Sequence, residues 1–511
     1  MATYILRRLL ASLLILLGAS FIVYLLIAYS GDPLAEIRSS NDPGKETRIA
    51  QRTAMLHLDV PAPLRYFLWL GGAARCVLPG KCDLGLTIQN QPVTELLGAA
   101  IPTTLQLVVG AAVLAVIIGV AVGVVTALRQ YSTLDYAVTF VTFLFFSLPV
   151  FWVAVLLKEF GAIGFNDFLR DPYIPNTAIA VLSLLSGLVW TAIVSGTWRR
   201  RGITFVTAVV VTAAILYFLS VTRWFATPSL GIVVIAVTGI AIAYGATVLF
   251  AGLQNRRALY SSLITVGLAV IAYFALDPVL DDATLGVVVL LGLVALAVAW
   301  LVGWLMGGYD RGQSIKAAML TTVGVTGLIL LDRFMRAWPR YVADSHVRGR
   351  PIATIGAQTP NLGGDFWLTG LDKYTHLVLP TIALILISVA SYTRYSRASM
   401  LEVMGQDYVR TARSKGLPER VVVTRHAFRN ALIPLATIVA IDIGALIGGA
   451  VITENVFSFR GMGVVFLQGI RAVDPNPVMG VFLVTGITAV VFNLIADLTY
   501  SALDPRVRVK A

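Results

Sequence analysis

The 511-residue chain is short of charge, cysteine and histidine. Only 13% of its residues are Asp, Glu, Lys or Arg, against 58% hydrophobic, and mean hydropathy is +0.83. A soluble domain carries about 25% charged residues, so that class is excluded. No G-x-x-x-x-G-K-[ST] occurs, which excludes ATP hydrolysis through a P-loop in this chain. The four histidines, His57, His346, His376 and His426, are scattered, with no H-E-x-x-H. Carboxylates are not paired as a hydrolase would need them. Enzyme chemistry, a resident metal and a cofactor bound by this chain are therefore not expected. Two cysteines are too few for a disulfide-rich scaffold, and with no nearby histidine they do not make a zinc site. Barrel-type alternation is missing as well.

What is present is apolar residues in blocks of about 20, the length that crosses about 30 Å of hydrocarbon. Without alternation these blocks must be helices, because only a helix satisfies its own backbone in lipid. The chain reads as an all-α polytopic membrane protein with about twelve spans. These fall near Ile5–Tyr29, Pro102–Leu128, Leu134–Leu157, Asn176–Trp198, Ile203–Val221, Ser229–Leu253, Ala258–Leu276, Thr284–Met306, Ile315–Leu331, His376–Tyr392, Ala431–Ile452 and Val478–Tyr500. The first block is too long for a signal-peptide core and lacks a clear small-x-small site, so it reads as an anchor. Long polar segments run from Gly31 to about Ala100 and from about Asp332 to Thr375.

Net charge is +12, but a nucleic-acid partner is the wrong inference from it. The excess sits in short loops such as Arg199-Arg200-Arg201 and Asn255-Arg256-Arg257, alternating with acidic Asp277-Pro-Val-Leu-Asp281-Asp282. By the positive-inside rule the basic loops face the cytoplasm and anionic lipid. Both termini, including the tail Asp504-Pro-Arg506-Val-Arg508, then lie in the cytoplasm of a multi-pass protein of the plasma membrane.

One basic loop is longer than the rest. From Arg394 to Asn430 there are eight Lys/Arg and three Asp/Glu. The stretch Asp407-Tyr408-Val409-Arg410-Thr411-Ala412-Arg413-Ser414-Lys415-Gly416-Leu417 has helical composition and cannot sit in hydrocarbon, so it projects into water as a docking surface. Tyr408, Val409 and Ala412 recur at helical spacing and predict a small apolar contact face for a partner. Arg410, Arg413 and Lys415 are expected to stay wet or to pair with partner acids. Gly416 is placed to end the helix with positive φ.

This loop, followed by Arg425-His-Ala-Phe-Arg-Asn-Ala-Leu-Ile-Pro434, resembles the EAA-type loop of ABC importer permeases in the dipeptide/oligopeptide form. The resemblance extends to Leu6-Arg-Arg-Leu-Leu10, Gly31-Asp-Pro33, Leu58-Asp-Val-Pro61, Ile101-Pro-Thr-Thr-Leu105 and Ser147-Leu-Pro-Val-Phe151. It continues in Thr453-Glu454-Asn455-Val456-Phe457, Gly461-Met-Gly463 and Leu503-Asp-Pro-Arg506. It covers about 1–160 and 350–511. Arg410-Thr-Ala412 stands where Glu-Ala-Ala is typical, and Arg460 where proline is usual. The resemblance implies a six-helix ABC importer permease core in two parts, 1–160 and 346–511. The hydrophobic region 161–345, about six further transmembrane helices, is inserted between them and has no counterpart in the resemblance. It also implies the partners: a second permease subunit, two ABC ATPase subunits that bind ATP and Mg, and an extracytoplasmic substrate-binding protein delivering a peptide. Nickel and oligosaccharides are the alternative substrates. An ion-coupled secondary transporter is the rival class; it predicts inverted repeats, broken helices and paired intramembrane charges.

Ionisable residues inside spans are costly and often functional. Asp442 is such a residue, with two readings: a water-filled path where it meets a peptide amino end, or a structural hydrogen bond at a helix interface. Gly444, Gly448 and Gly449 are expected to permit close helix packing. Glu454 and Phe457, just beyond that span, suit either a gate or a surface turn. Cys76 and Cys82 lie in the first external segment, where their five-residue spacer can close a disulfide; two free thiols are the alternative.

Overall fold

The computed structural model describes residues 2–194 and 196–503, all helix and connecting loop apart from one isolated bridge between Leu86 and Pro92. The expected tail at Asp504–Lys510 lies outside the described residues. The first span is α1 (Ala2–Ala28), followed by α2 (Ala35–Ser39), α3 (Lys45–Leu56) and α4 (Ala62–Ala74), the last packed back on α1. The second span, α5 (Val93–Leu128), begins nine residues before its expected Pro102. Pro92 opens this helix, a position where a missing N–H costs nothing.

The third expected span is not one straight helix. α6 (Thr133–Ser147) is followed by α7 (Val150–Leu156), a π-helical stretch at Leu157–Gly164 and α8 (Phe165–Arg170), and the two parts are bent by 101°. Pro149 explains the break. A residue before proline is driven out of the α region, and Leu148 is extended with φ −82 and ψ 128.

Six long helices follow: α9 (Asn176–Ile193), α10 (Trp198–Val221), α11 (Gly231–Phe250), α12 (Arg256–Ala275), α14 (Leu285–Met306) and α15 (Arg311–Ala343). The short α13 (Asp277–Asp281) links α12 to α14. α15 runs twelve residues past its expected end at Leu331. Asp332 is therefore not the start of an external segment but a fully buried helical residue. Its carboxylate accepts hydrogen bonds from the Leu230 and Gly231 N–H groups at 2.7 and 3.0 Å and from the Tyr273 hydroxyl at 2.8 Å, and it pairs with Arg336 at 3.0 Å. Buried Arg333 beside it pairs with Asp281 at 2.9 Å and with Asp277. A buried carboxylate is tolerated only when every lone pair is spoken for, and this network achieves that.

The chain then enters α16 (Phe366–Met404), α17 (Asp407–Ser414), α18 (Glu419–Val421), α19 (Arg429–Gly449), α20 (Val451–Val456), α21 (Met462–Arg471) and α22 (Pro475–Leu503). Among the described residues, eleven helices are long and apolar enough to cross a membrane, twelve if the bent pair counts as one span.

α5 and α16 form the central pair and run parallel. Gly119 and Gly123, a G-x-x-x-G spacing, lie against Tyr392 and Ser396; a Cβ at Gly119 would sit 2.6 Å from the Tyr392 Cβ, and one at Gly123 2.7 Å from the Ser396 Cβ. Close backbone approach is how helices associate where lipid offers no hydrophobic drive. Arg397 on α16 grips Asp135 on α6 through two hydrogen bonds of 2.8 and 2.9 Å. α1 closes the core against α22: Arg8 pairs with Asp497 at 2.7 Å near one end, and Gly31 meets Val473 at the other. Gly444 lets α19 approach Ala489 of α22 at ordinary van der Waals distance. The surroundings of Gly448 and Gly449 lie outside the described residues.

The six middle helices make two groups. α9 and α10 form a hairpin joined by the Ser186–Thr212 hydrogen bond of 2.8 Å and touching α6. α11, α12, α14 and α15 form a bundle that docks on α16 through α15. Trp367 Nε1 donates to the Leu280 carbonyl at 2.6 Å, and the Tyr341 hydroxyl donates to Asp372 at 3.0 Å.

Gly119→Leu is expected to lower stability by about 1–3 kcal/mol or more, because overpacking must push α5 off α16. Gly110→Leu, where an added Cβ meets nothing within 4 Å, should be near neutral. Thermal unfolding of the detergent-purified variants checks the pair.

Candidate functional site

The polar loop between α16 and α19 forms a compact elbow. Gln406 is extended (ψ 150) and precedes α17, eight residues long. Val409 and Val422 are completely buried and Ala412 nearly so, packed together with Val403 and Met404. This corrects the expected contact face: Val409 and Ala412 bind the helix to its own chain and are not available to a partner. Each valine contributes about 1.5–3 kcal/mol by burial, enough to hold so short a helix in place. Tyr408 remains outside, 43% exposed.

Arg413 is likewise not free for a partner's acids. It forms a forked ion pair with Glu419, at 2.6 and 3.1 Å, closing the elbow on itself. At such exposure the pair is worth about 0.2–1 kcal/mol and acts mainly as a geometric tie. Arg410 reaches Asp407 only at 3.8 Å, and Asp407, Arg410 and Lys415 are all exposed. Thr411 turns its hydroxyl back on the Asp407 carbonyl at 2.8 Å.

Gly416 has φ +75. The Leu417 N–H donates to the Ala412 carbonyl (3.4 Å) and the Gly416 N–H to the Arg413 carbonyl (2.9 Å), which together make a Schellman stop. Pro418 then starts α18, and a π-helical turn over Val422–Phe428 leads into α19. Behind the elbow, Met400, Ala427, Ala431 and Ala127 pack the ends of α16, α19 and α5 together. An open groove of about 710 Å³ lies beside it, lined by Leu128, Gln130, Leu401, Arg413, Arg420 and Thr424. The elbow is therefore in direct continuity with the packed ends of three long helices.

The other candidate residues are not gathered at this site. Asp442 is half-buried on α19 and faces Tyr392 of α16, whose buried hydroxyl has Asp442 as its polar neighbour without reaching hydrogen-bond geometry. Glu454 is not on a surface turn. It is wholly buried, and its carboxylate accepts from the Thr104 hydroxyl (2.6 Å), the Gly463 N–H (2.8 Å) and the Val464 N–H (3.2 Å). The Thr104 hydroxyl oxygen in turn accepts from the Met462 N–H at 2.8 Å. A Cβ at Gly461 would lie 2.3 Å from Glu454 Oε1, so that glycine is required by the brace. Phe457 is 1% exposed and packs with Phe459, Val153 and Ala154, while its carbonyl accepts from the Gly356 N–H at 2.8 Å. The Glu454 carboxylate thus holds α5, α20 and α21 together, and the Phe457 ring holds the end of α20 against α7 and α16. Arg460 is the centre of a three-residue turn closed by the Gly461 N–H on the Phe459 carbonyl at 2.8 Å. It has negative φ, which that turn asks of its central residue. Cys76 and Cys82 are joined as a disulfide beyond α4.

Sequence reasoning missed Asp474, in the turn between α21 and α22. It is 2% exposed and accepts from the Ile88 N–H at 2.7 Å and the Asn476 N–H at 3.3 Å, tying the segment before α5 to the start of α22. Burial pushes its carboxyl up to about 6, against the pull of those hydrogen bonds. Its charged form is thus disfavoured in the fold relative to the unfolded chain. Stability is expected to fall as pH rises from about 4 to about 6 and to level off above, by at most about 3 kcal/mol at 1.36 kcal/mol per pH unit. Asp474→Asn should flatten that slope in thermal unfolding measured from pH 4 to 7.

The profile of a family described as "Binding-protein-dependent transport system inner membrane component" matches residues 119–509, about three quarters of the chain. The oligopeptide transport system permease protein OppB of Mycobacterium tuberculosis (strain ATCC 25618 / H37Rv) is 42% identical over 154 residues, 30% of this chain and 47% of that protein. The oligopeptide transport system permease protein AppB of Bacillus subtilis is 41% identical over 136 residues, 27% of this chain and 43% of the relative. The dipeptide transport system permease protein DppB of Escherichia coli K12 is 40% identical over 140 residues, 27% of this chain and 41% of the relative. The aligned part thus spans less than half the length of these curated relatives. With a polytopic helical fold and a family match over most of its length, the chain belongs to the inner membrane components of binding-protein-dependent transport systems, as a non-catalytic transport permease.

Proposed function

We propose that this permease carries di- or oligopeptides across the inner membrane as one of two membrane-spanning subunits of an ATP-driven importer. The observation that carries the proposal is the elbow: an α-helix of eight residues, clamped to its own chain by Val409, Ala412 and Val422, with Tyr408, Arg410 and Lys415 on its open side. A two-state pore needs an energy source that distinguishes its states. This sequence has no P-loop of its own, so two ATPase subunits, binding ATP and Mg, supply the energy through the elbow. An extracytoplasmic binding protein delivers the substrate from the opposite side. On this reading the elbow and both termini face the cytoplasm. The pairing of Arg8 with Asp497 supports it, by setting the start of α1 beside the end of α22.

The peptide substrate rests on the names of the partial relatives, two oligopeptide permeases and one dipeptide permease. Nickel or oligosaccharide uptake would use the same machinery. A carrier working alone would also exploit a broken span such as α6–α7, but membership in a binding-protein-dependent family argues against it.

Gly416→Val tests the lever. A β-branched residue at φ +75 costs about 1–2 kcal/mol or more and unwinds the Schellman stop. Peptide uptake into vesicles by the reconstituted complex should fall about tenfold or more while basal ATP hydrolysis persists, since coupling and not nucleotide binding is lost. Undiminished uptake would remove the elbow's role. Asp442→Asn tests the path: reduced uptake of peptides with a free amino end, with N-acetylated peptides unaffected, is the outcome expected if Asp442 meets that group.

A further inference from the structure

The inserted bundle encloses a cavity of about 290 Å³ between α12, α14 and α15. We propose that it is a binding site for one acyl chain of a bilayer phospholipid. Its wall is almost wholly aliphatic. Of its four polar residues, Tyr273 spends its hydroxyl on Asp332 and Thr265 on the Ser262 carbonyl, while Thr322 and Thr326, one turn apart on α15, make no hydrogen bond through their hydroxyls. Two hydroxyls on one wall can hold at most a single water, because each buried water needs two to four polar partners, and the rest of this volume is left without any. An apolar cavity of about 150 Å³ already binds benzene, so this one has room for a length of hydrocarbon chain.

The mouth identifies the source. Leu268 on α12 and Val294 and Val298 on α14 line the cavity and are also 39%, 50% and 38% exposed. All three lie near the middle of their helices, at the depth of acyl chains and far from water. The outer end is shut by Leu276 and Leu280, held under the Asp277–Arg333–Asp281 network. Since the chain moves from one apolar medium to another, the gain is close packing of an otherwise empty space. Such a gain is modest, but the bilayer presents its chains at very high concentration, so the site fills.

The test uses the full-length protein in nanodiscs containing a phospholipid with a diazirine on one acyl chain. Irradiation should label Thr322 and Ile329 of α15, which line the cavity and are only 7% and 9% exposed, with the label placed to the residue by peptide sequencing so that exposed Val323 beside them is read separately. Gly292 faces open space within the wall, so Gly292→Phe should fill the site and cut that labelling about fivefold or more. Ala295→Leu should act in the same direction with less disturbance. Val237→Phe, on the exposed face of α11, should leave it unchanged. The proposal is overturned if Thr322 and Ile329 are unlabelled in the wild type. It is equally overturned if folded, monodisperse Gly292→Phe and Ala295→Leu proteins keep full labelling at those two residues, or if a diazirine fatty acid labels them and the phospholipid does not.

Discussion

The transport account depends on one small apolar contact, that of Val409 and Ala412 on α17 with Val422 at the start of the return into the membrane. A helix of eight residues has no independent stability in water. Only burial against its own chain makes it a body that can be pushed. The Arg413–Glu419 fork and the Gly416 stop fix how it sits. The cluster of Met400, Ala427, Ala431 and Ala127 then ties the elbow to α5, α16 and α19. Because α5 and α16 touch backbone to backbone at Gly119 and Gly123, displacement at the elbow is passed to the central pair as a unit.

The far side of the molecule is built to resist such motion locally. Glu454, Thr104 and Gly461 lock α20 and α21 to α5, and Asp474 locks the segment before α5 to α22. Buried carboxylates serve both joints, and each is surrounded by N–H or O–H donors. Such joints favour rigid-body movement of helices over local unfolding.

Much of this was legible in the sequence. Apolar block length located the spans, and α9, α10, α11, α12 and α14 stand close to where hydropathy put them. Gly416 was readable as a helix stop because few residues accept positive φ. What one-dimensional reading could not see was partnership. Val409 and Ala412 look like a docking face until Val422, ten residues beyond Ala412, turns back to cover them. Glu454 looks like a turn residue until Thr104, 350 positions away, donates to it. Asp332 and Arg333 look like the polar start of a loop until the Leu230 and Gly231 amides and the α13 acids enclose them. The Pro149 break carried a local signal, proline after a short apolar helix, that counting apolar residues alone passes over. Gly119 and Gly123 also carried one, in their spacing.

The most direct test of the lever is site-specific cross-linking in the purified complex. Single cysteines at Tyr408, Lys415 and Val409 would be introduced and treated with a short bifunctional reagent in the nucleotide-free and ATP-bound states. The account predicts cross-links from positions 408 and 415 to an ATPase subunit in both states, with none from the buried position 409. Cross-links from 409 alone, or no ATPase contact from the elbow in either state, would contradict it.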